Sequence, residues 1–434
     1  MTGIYDIRKY GAVGDGVTEC TEALQRAVDD CSAAGGGTVV VEAGCYLFYP
    51  FRLKSGVVLE IRKGAVLLAG TVPEKYPVIQ ENPYWNVLFA PRHNRRCVIY
   101  AEGAEHVGIA GKGTIDFQGK AFVDADESVI PGYGRWCRHS DTLVPGRSLF
   151  FVGCRDVRIE DVLLKDTAGG WFTWLLDCED VLVRGVTMQA DLRMPNSDGL
   201  HMGSCRNVRV SDCNFQCGGD DCIIVRSMQE QFSAPRPTEN IVVENCVCRG
   251  GKWSTAIQVA WTYDYAIRNC IFSNIVMTCG SRLVSISAPD IAYSESKDPP
   301  RYEDTPEPPP HRPMQIENLQ FNNIVARADR LLALEIDDGC AVEYIRNIRF
   351  HNVQALCTCF PVINVQKHHN VSDIEFSDIV LELEPAPDEP DLTPNTFYGV
   401  PGPFLNCPHV RDLILSHFRF KGMRTNHVQE REKE

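Results

Sequence analysis

The chain is predicted to be all-β, a parallel β-helix of 434 residues with a short N-terminal capping helix. Three observations carry this: a recurring strand phrase, its period-two alternation, and one stretch of helical spacing near the start. The phrase is an apolar-x-apolar strand that ends near Asn or Asp and is followed by another apolar residue. Its copies are "VRIEDV" (157–162), "VLVRGV" (181–186), "VRVSDC" (208–213), "IVVENC" (241–246), "YAIRNC" (265–270), "LQFNNI" (319–324), "IRFHNV" (348–353), "IEFSDI" (374–379) and "LILSHF" (413–418). Several successive copies lie 24 to 33 residues apart, a spacing that points to a solenoid.

Each copy is short and rich in Val and Ile, which argues strands, and no 3.6-residue periodicity runs through them. One strand cannot bury its own apolar face, so each coil stacks on the next at about 4.8 Å and equivalent positions form ladders along the axis. Cys154, Cys178 and Cys205 are expected in one ladder, and Cys213, Cys246 and Cys270 in another. This reading makes most of the 19 cysteines stacked apolar thiols rather than a disulfide framework, since a chain of this length builds an adequate core without bridges. "CRHS" and "CVC" lack a second pair at zinc-finger spacing.

The N-terminal "TECTEALQRAVDDCSAAGGG" places Leu24, Ala27, Val28 and Cys31 at helical spacing before a Gly run. Such a helix would cap the open end of the solenoid, with residues 1–50 forming the cap and first coils of one domain spanning 1–434. Residues 120–147 and the Pro-rich 288–314 read as inserted loops, because Pro removes ladder donors, and 422–434 reads as a disordered tail.

A formal charge of −14 with no basic stripe opposes a nucleic-acid partner. No apolar run reaches membrane-spanning length, and the start lacks a secretory pattern, so the chain as given reads as cytoplasmic, or secreted had a leader been removed. Oligomeric state is not readable.

Function concentrates in "MPNSDGLHMGSCRNVRVSDCNFQCGGDDCIIVRS" (194–227), where Asp198 lies 22 residues before Asp220 and 23 before Asp221. At about one coil per 22 to 27 residues, these aspartates should face each other on neighbouring coils. Crowded carboxylates raise one another's pKa, which provides an acid and a base. Asp220 and Asp221 can share a cleft only if Gly218 and Gly219 set them on a bend. Taken singly, "NSDG" is also a favoured turn and "GGDD" is weak, and clustered carboxylates are also a calcium motif. It is the joint spacing that favours catalysis.

These residues resemble glycoside hydrolase family 28, the polygalacturonase family of right-handed parallel β-helices within the pectin-lyase-like superfamily. The resemblance runs from "YGAVGDGVTECTEALQRAVDDCSAAGGGTVVVEAGCYL" through "LKSGVVLEIRKGAVLLAG", "GKGTIDFQG" and "DTAGGWFTWLLDCEDVLVRGV" to "NSDG" and "GGDDCI". It implies inverting hydrolysis of a pectin-type oligosaccharide, without metal or cofactor, with Asp220 as general acid, Asp198 and Asp221 holding and activating water, and Asn196 orienting the cluster. Two segments depart from the family. "GGKWST" puts Lys252 and Trp253 where the family has Gly-His-Gly, and "SRLVSI" keeps Arg282 but replaces the family Lys with an apolar residue.

His201 should lie on the strand face of the cluster, either contacting the sugar or as a satisfied imidazole. Arg193 and Arg226 flank the aspartates, to bind an anionic group or balance the carboxylates. Trp171, Trp174, Trp253, Trp261 and Tyr263 include candidates for sugar stacking, although most aromatics of a solenoid are core. Cytoplasmic placement favours exo-action on short chains. A polysaccharide lyase or epimerase on the same fold, and a glycan-binding solenoid without turnover, are the competing readings.

Overall fold

A computed structural model of the chain describes residues 3–77, 96–124, 145–167, 170–229, 232, 234–261, 264–288, 311–384, 407 and 409–421, with the backbone of 137–138. Its strands stack in parallel, coil on coil, as a right-handed parallel β-helix. A ten-stranded parallel sheet forms one face and includes Arg147–Val152, Trp171–Leu176, Leu200–Gly203, Ile223–Arg226, Thr255–Val259, Arg282–Ala288 and Arg330–Ile336. The remaining long faces belong to a 22-stranded sheet that wraps the other sides of each coil.

The coil turns because of Asn and Asp. In most central coils two of these residues, five apart, adopt left-handed φ, such as Asn240 (61°) with Asn245 (56°) and Asn269 (58°) with Asn274 (54°). Asn tolerates this conformation better than most L-residues. Stacked bends let each side-chain amide donate to the one before it: Asn240 to Asn207 at 3.1 Å, Asn269 to Asn240 at 3.1 Å, Asn318 to Asn269 at 2.9 Å and Asn347 to Asn318 at 2.6 Å. A second ladder runs through Asn274, Asn323 and Asn352.

Two bends per coil also explain an error of register in the sequence reading. The coil-equivalent copy of "IVVENC" is Cys270–Ile275, not Tyr265–Cys270, because Ile241 pairs with Cys270 and Val247 with Val276. The phrase recurs around both bends, and its pattern alone cannot separate them. Cys270 therefore leaves the Cys213–Cys246 ladder and joins Val208, Ile241 and Leu319. The ladder of Cys154, Cys178 and Cys205 stands as expected. Cysteines among the described residues are free thiols, mostly buried.

Inside, Phe272, Phe321, Phe350 and Phe376 stack with ring centroids 5.0, 4.6 and 4.8 Å apart. The helix Thr21–Ala33 buries Ala23, Leu24, Ala27, Val28 and Cys31 over the first coils, as a cap. Of the expected insertions, Gly119–Phe122 forms a 3-10 turn and Val123–Asp124 pairs antiparallel with Cys137–Arg138. Ala288 and Met314 themselves end and begin strands, so that loop is shorter than 288–314. Residues 289–310 and the tail 422–434 lie outside the described residues. Among the described residues no helix is long and apolar enough to cross a membrane.

Candidate active site

The aspartates come together at one end of the ten-stranded sheet. The Gly199 amide donates to the Asp221 carbonyl at 2.9 Å and Leu200 to that of Cys222 at 3.0 Å, which sets Asp198 level with Asp221 on the next coil, about 4.8 Å away in backbone. Extending the register in both directions gives one row across the sheet: Arg147, Trp171, Asp198, Asp221, Thr255, Arg282 and Arg330.

Glycine makes the approach possible. The Gly218 amide donates to Ser197 Oγ at 2.6 Å, and a Cβ on Gly218 would collide with the Asp191 carbonyl and that hydroxyl. The Gly219 amide donates to the Met194 carbonyl, so the turn carrying Asp220 is tied to the loop carrying Asn196. The bend required of Gly218 and Gly219 is present, and Asn196 Nδ2 donates to Asp220 Oδ2 at 2.7 Å. Asn196 meets Asp220 from a left-handed φ of 46°.

Electrostatics follow from burial. Asp198 is 5% exposed, and its Oδ1 has no hydrogen-bond partner among the described residues. Burial, then the charges of Asp220 and Asp221, hold its carboxyl well above the ordinary range, while Arg147 pulls it down. Burial and Asp220 push Asp221 up to about 7, against the Thr255 amide, which donates to Asp221 Oδ1 at 2.9 Å, and against Arg282. The cluster thus retains a proton near neutrality while keeping carboxylate character, the condition for paired acid and base.

His201 does stand on the cluster's face of the sheet. It is buried, and its ring lies 3.8 Å from that of Trp171 at 7°. Burial and the charges of Arg226 and Arg147 hold its pKa well below the usual value, so it is a neutral imidazole. Trp171 also carries the Arg147 guanidinium, 3.4 Å from its ring. Trp174 is core, stacked on Phe150 at 4.7 Å, so the floor on this side of the aspartates is aromatic. Beyond Asp221 the outward positions turn polar, with Gln258, Ser285, Ser287 and Glu335.

Lys252 and Trp253 lie half-buried in the turn after Gly251, whose amide donates to Gly218, so they border the Asp220 turn. Lys252 Nζ sits 5.6 Å from the Trp253 ring. Arg282 is in the row, two coils from Asp221, with Nη2 3.5 Å from Glu335 Oε2. Arg193 is an exposed neighbour paired to Asp191 at 3.0 Å.

Arg226 and Trp261 correct the expectation. Arg226 lies five residues along its strand from Asp221, roughly 16 Å away, and makes a buried two-pronged pair with Asp264 at 2.7 and 2.9 Å. It balances Asp264 rather than the cluster. Trp261 stands at that same far end, where the Asp264 amide donates to its carbonyl. Tyr263 lies outside the described residues. Sequence reasoning missed Arg147, Ser197, Thr255 and Glu335. Arg147 was findable, since it opens "RSLFFV" as Trp171 opens "WFTWLL", one coil apart.

Fold and site together define a class: a parallel β-helix that gathers buried and half-buried carboxylates at one end of a sheet, an arrangement suited to acid–base chemistry. Residues 87–253, which contain all three aspartates, match the model of Glycosyl hydrolases family 28, the family that the motifs resemble. The chain is 31% identical over 250 residues to a probable polygalacturonase of Vitis vinifera, covering 55% of this chain and 48% of that one. It is 26% identical to an exo-poly-alpha-D-galacturonosidase of Dickeya chrysanthemi, covering 57% and 46%. The chain thus spans about half the length of the curated relatives it matches. Among solved structures, an exopolygalacturonase from Thermotoga maritima superposes with a TM-score of 0.67 at 21% identity, over 88% of this chain and 87% of that one, a likeness of fold.

Proposed function

We propose that the protein is an inverting glycoside hydrolase acting on a pectin-type or related oligosaccharide from the chain end. The observation that carries this is the placement of Asp198 level with Asp221 on adjacent coils, with Asp220 fixed by Asn196 at 2.7 Å. Both curated relatives are named for galacturonan cleavage, the one from Dickeya chrysanthemi as exo-acting.

In this reading Asp220 donates a proton to the leaving glycosidic oxygen as the bond to the anomeric carbon breaks. Asp198 and Asp221 hold a water molecule on the other face of the sugar and take its proton as the new bond forms, which inverts the anomer. A proton affinity raised to about 7 makes Asp221 a competent acceptor near neutrality once ionised. The Asp198 Oδ1 without a partner among the described residues is a place for that water. Arg282, with Lys252 beside the turn, supplies positive charge for a uronate group, and Trp253 offers a sugar-stacking surface, whereas Trp171 is already stacked against Arg147 and His201.

The test is incubation with short galacturonides, rhamnogalacturonan fragments and neutral α- and β-linked oligosaccharides, with products identified by mass. Release of monosaccharide from a galacturonide supports the proposal. An unsaturated product would mean a lyase, and binding without any product would mean a glycan-binding solenoid.

A further inference from the structure

The turn 218–221, which carries Asp220 and Asp221, is gripped by the coils on both sides of it. From the preceding coil, Ser197 Oγ accepts from the Gly218 amide at 2.6 Å, the Met194 carbonyl accepts from the Gly219 amide at 2.8 Å and Asn196 Nδ2 donates to Asp220 at 2.7 Å. From the following coil, Ser254 Oγ donates to the Gly218 carbonyl at 2.6 Å, the Gly251 amide donates to that same carbonyl at 2.9 Å and the Thr255 amide donates to Asp221 Oδ1 at 2.9 Å. Ser254 is 0% exposed, and its hydroxyl also accepts from the Gly251 amide at 2.9 Å, while its own amide donates to the Gly251 carbonyl at 3.2 Å. These bonds close the turn that presents Lys252 and Trp253. The approach of the two coils needs glycine, since a Cβ on Gly251 would lie 2.3 Å from the Gly218 carbonyl oxygen. Ser254 and Thr255 belong to "GGKWST", the segment that departs from the family pattern.

We propose that Ser254 is a positioning residue that clamps the turn of Asp220 and Asp221 against the following coil. This rests on the hydrolase reading above and adds to it the part played by the departing segment. A hydroxyl suits the task because it donates to one backbone group while accepting from another. Here those groups lie on adjacent coils, the Gly218 carbonyl on one and the Gly251 amide on the other. The next residue begins the strand Thr255–Val259, and its amide holds Asp221 Oδ1. Two adjacent residues thus grip the turn at its backbone and at its carboxylate. Proton transfer is steep in geometry, and a displacement of about 1 Å can cost about a hundredfold in rate. Ser254 acts on that geometry through the backbone of Gly218, two residues before Asp220, rather than on the sugar.

The test compares Ser254→Ala with Ser227→Ala. Ser227 is also 0% exposed, and its hydroxyl likewise donates to a carbonyl, that of Arg236 at 2.7 Å, and accepts from an amide, that of Ala266 at 3.1 Å, at the other end of the sheet. In Ser254→Ala the Gly251 amide keeps the Gly218 carbonyl, and the Lys252 turn keeps its backbone bond, so the variant should fold. Hydrogen exchange of the Gly218 and Gly219 amides, read by mass spectrometry of peptides covering that turn, should become about tenfold faster. On a short galacturonide, kcat should fall about tenfold while KM stays within about threefold. Ser227→Ala should change neither the exchange of that turn nor kcat, whatever it loses in melting temperature. A folded Ser254→Ala with wild-type exchange or wild-type kcat overturns the proposal, as does an equal loss of kcat in Ser227→Ala. If Ser254→Ala does not fold, Ser254→Cys, which keeps the shape with a weaker donor, takes its place. Losses of the same sign in the Cys variant support the proposal, and wild-type behaviour overturns it. A wild type that turns over no sugar, with exchange loosened in the variant, faults the hydrolase reading alone, while turnover with unchanged exchange faults this inference alone.

Discussion

Asp221 links the site to stability. Its folded pKa of about 7 exceeds the roughly 3.9 of an unfolded aspartate, so between those values the folded state holds more protons. The stability it contributes is complete below about pH 4 and is lost as pH rises through 7. Asp221→Asn should therefore match wild type near pH 4 and exceed it by up to about 4 kcal/mol at pH 8, measured by urea denaturation at each pH. His201, depressed by burial, acts the other way as pH falls below its unfolded value near 6.5, and it cancels between the two proteins at each pH. Catalysis separates from stability at Asp220. Being half-buried and bonded to Asn196 rather than packed in the core, it should tolerate Asp220→Asn with a change in stability under about 1 kcal/mol and lose at least about a thousandfold in kcat.

Ladders are the unit of stability at the level of the element. Asn269 accepts from Asn318 and donates to Asn240 while holding a left-handed φ of 58°. Asn269→Ala should cost about 1–2 kcal/mol, combining backbone strain with two lost side-chain bonds, and Asn269→Gly should cost less because glycine accepts that conformation. Phe321→Ala should cost about 3–5 kcal/mol, since Phe321 stacks against rings on both neighbouring coils. Denaturant midpoints decide both. These ladders were legible as a phrase because one strand with its bend is short and repeats locally. Placing Tyr265–Cys270 in the wrong register shows where legibility ends: bends at Asn269 and Asn274 are alike in sequence, and only coil-to-coil pairing tells them apart. Arg226 was misread for a related reason. Its nearness in sequence to Asp221 became distance along a strand, while Arg147, far in sequence, arrived in the row through stacking.

Across the whole molecule, the coils form a continuous stack whose cohesion is apolar and hydrogen-bonded rather than covalent. Fourteen of the eighteen described cysteines are buried thiols that serve as apolar packing, and burial pushes Cys270 up to about 12. The melting temperature should be the same with and without a thiol reductant, and a drop of several degrees on reduction would point to bridges that support the fold. The same stacking assembles the active site, because Asp198 meets Asp220 and Asp221 only when its coil is in register with theirs. Asp198, Asp220, Asp221 and Asn196 were legible from spacing and motif, whereas Thr255 and Arg147 reached the row only through pairing. The most direct measurement of the central claim is proton NMR of the first product formed from a short α-linked galacturonide, comparing wild type with Asp220→Asn. The expected result is a β-anomer that appears first and then mutarotates, with no product from the variant. An α-anomer appearing first, or equal turnover by the variant, would contradict an inverting mechanism built on these aspartates.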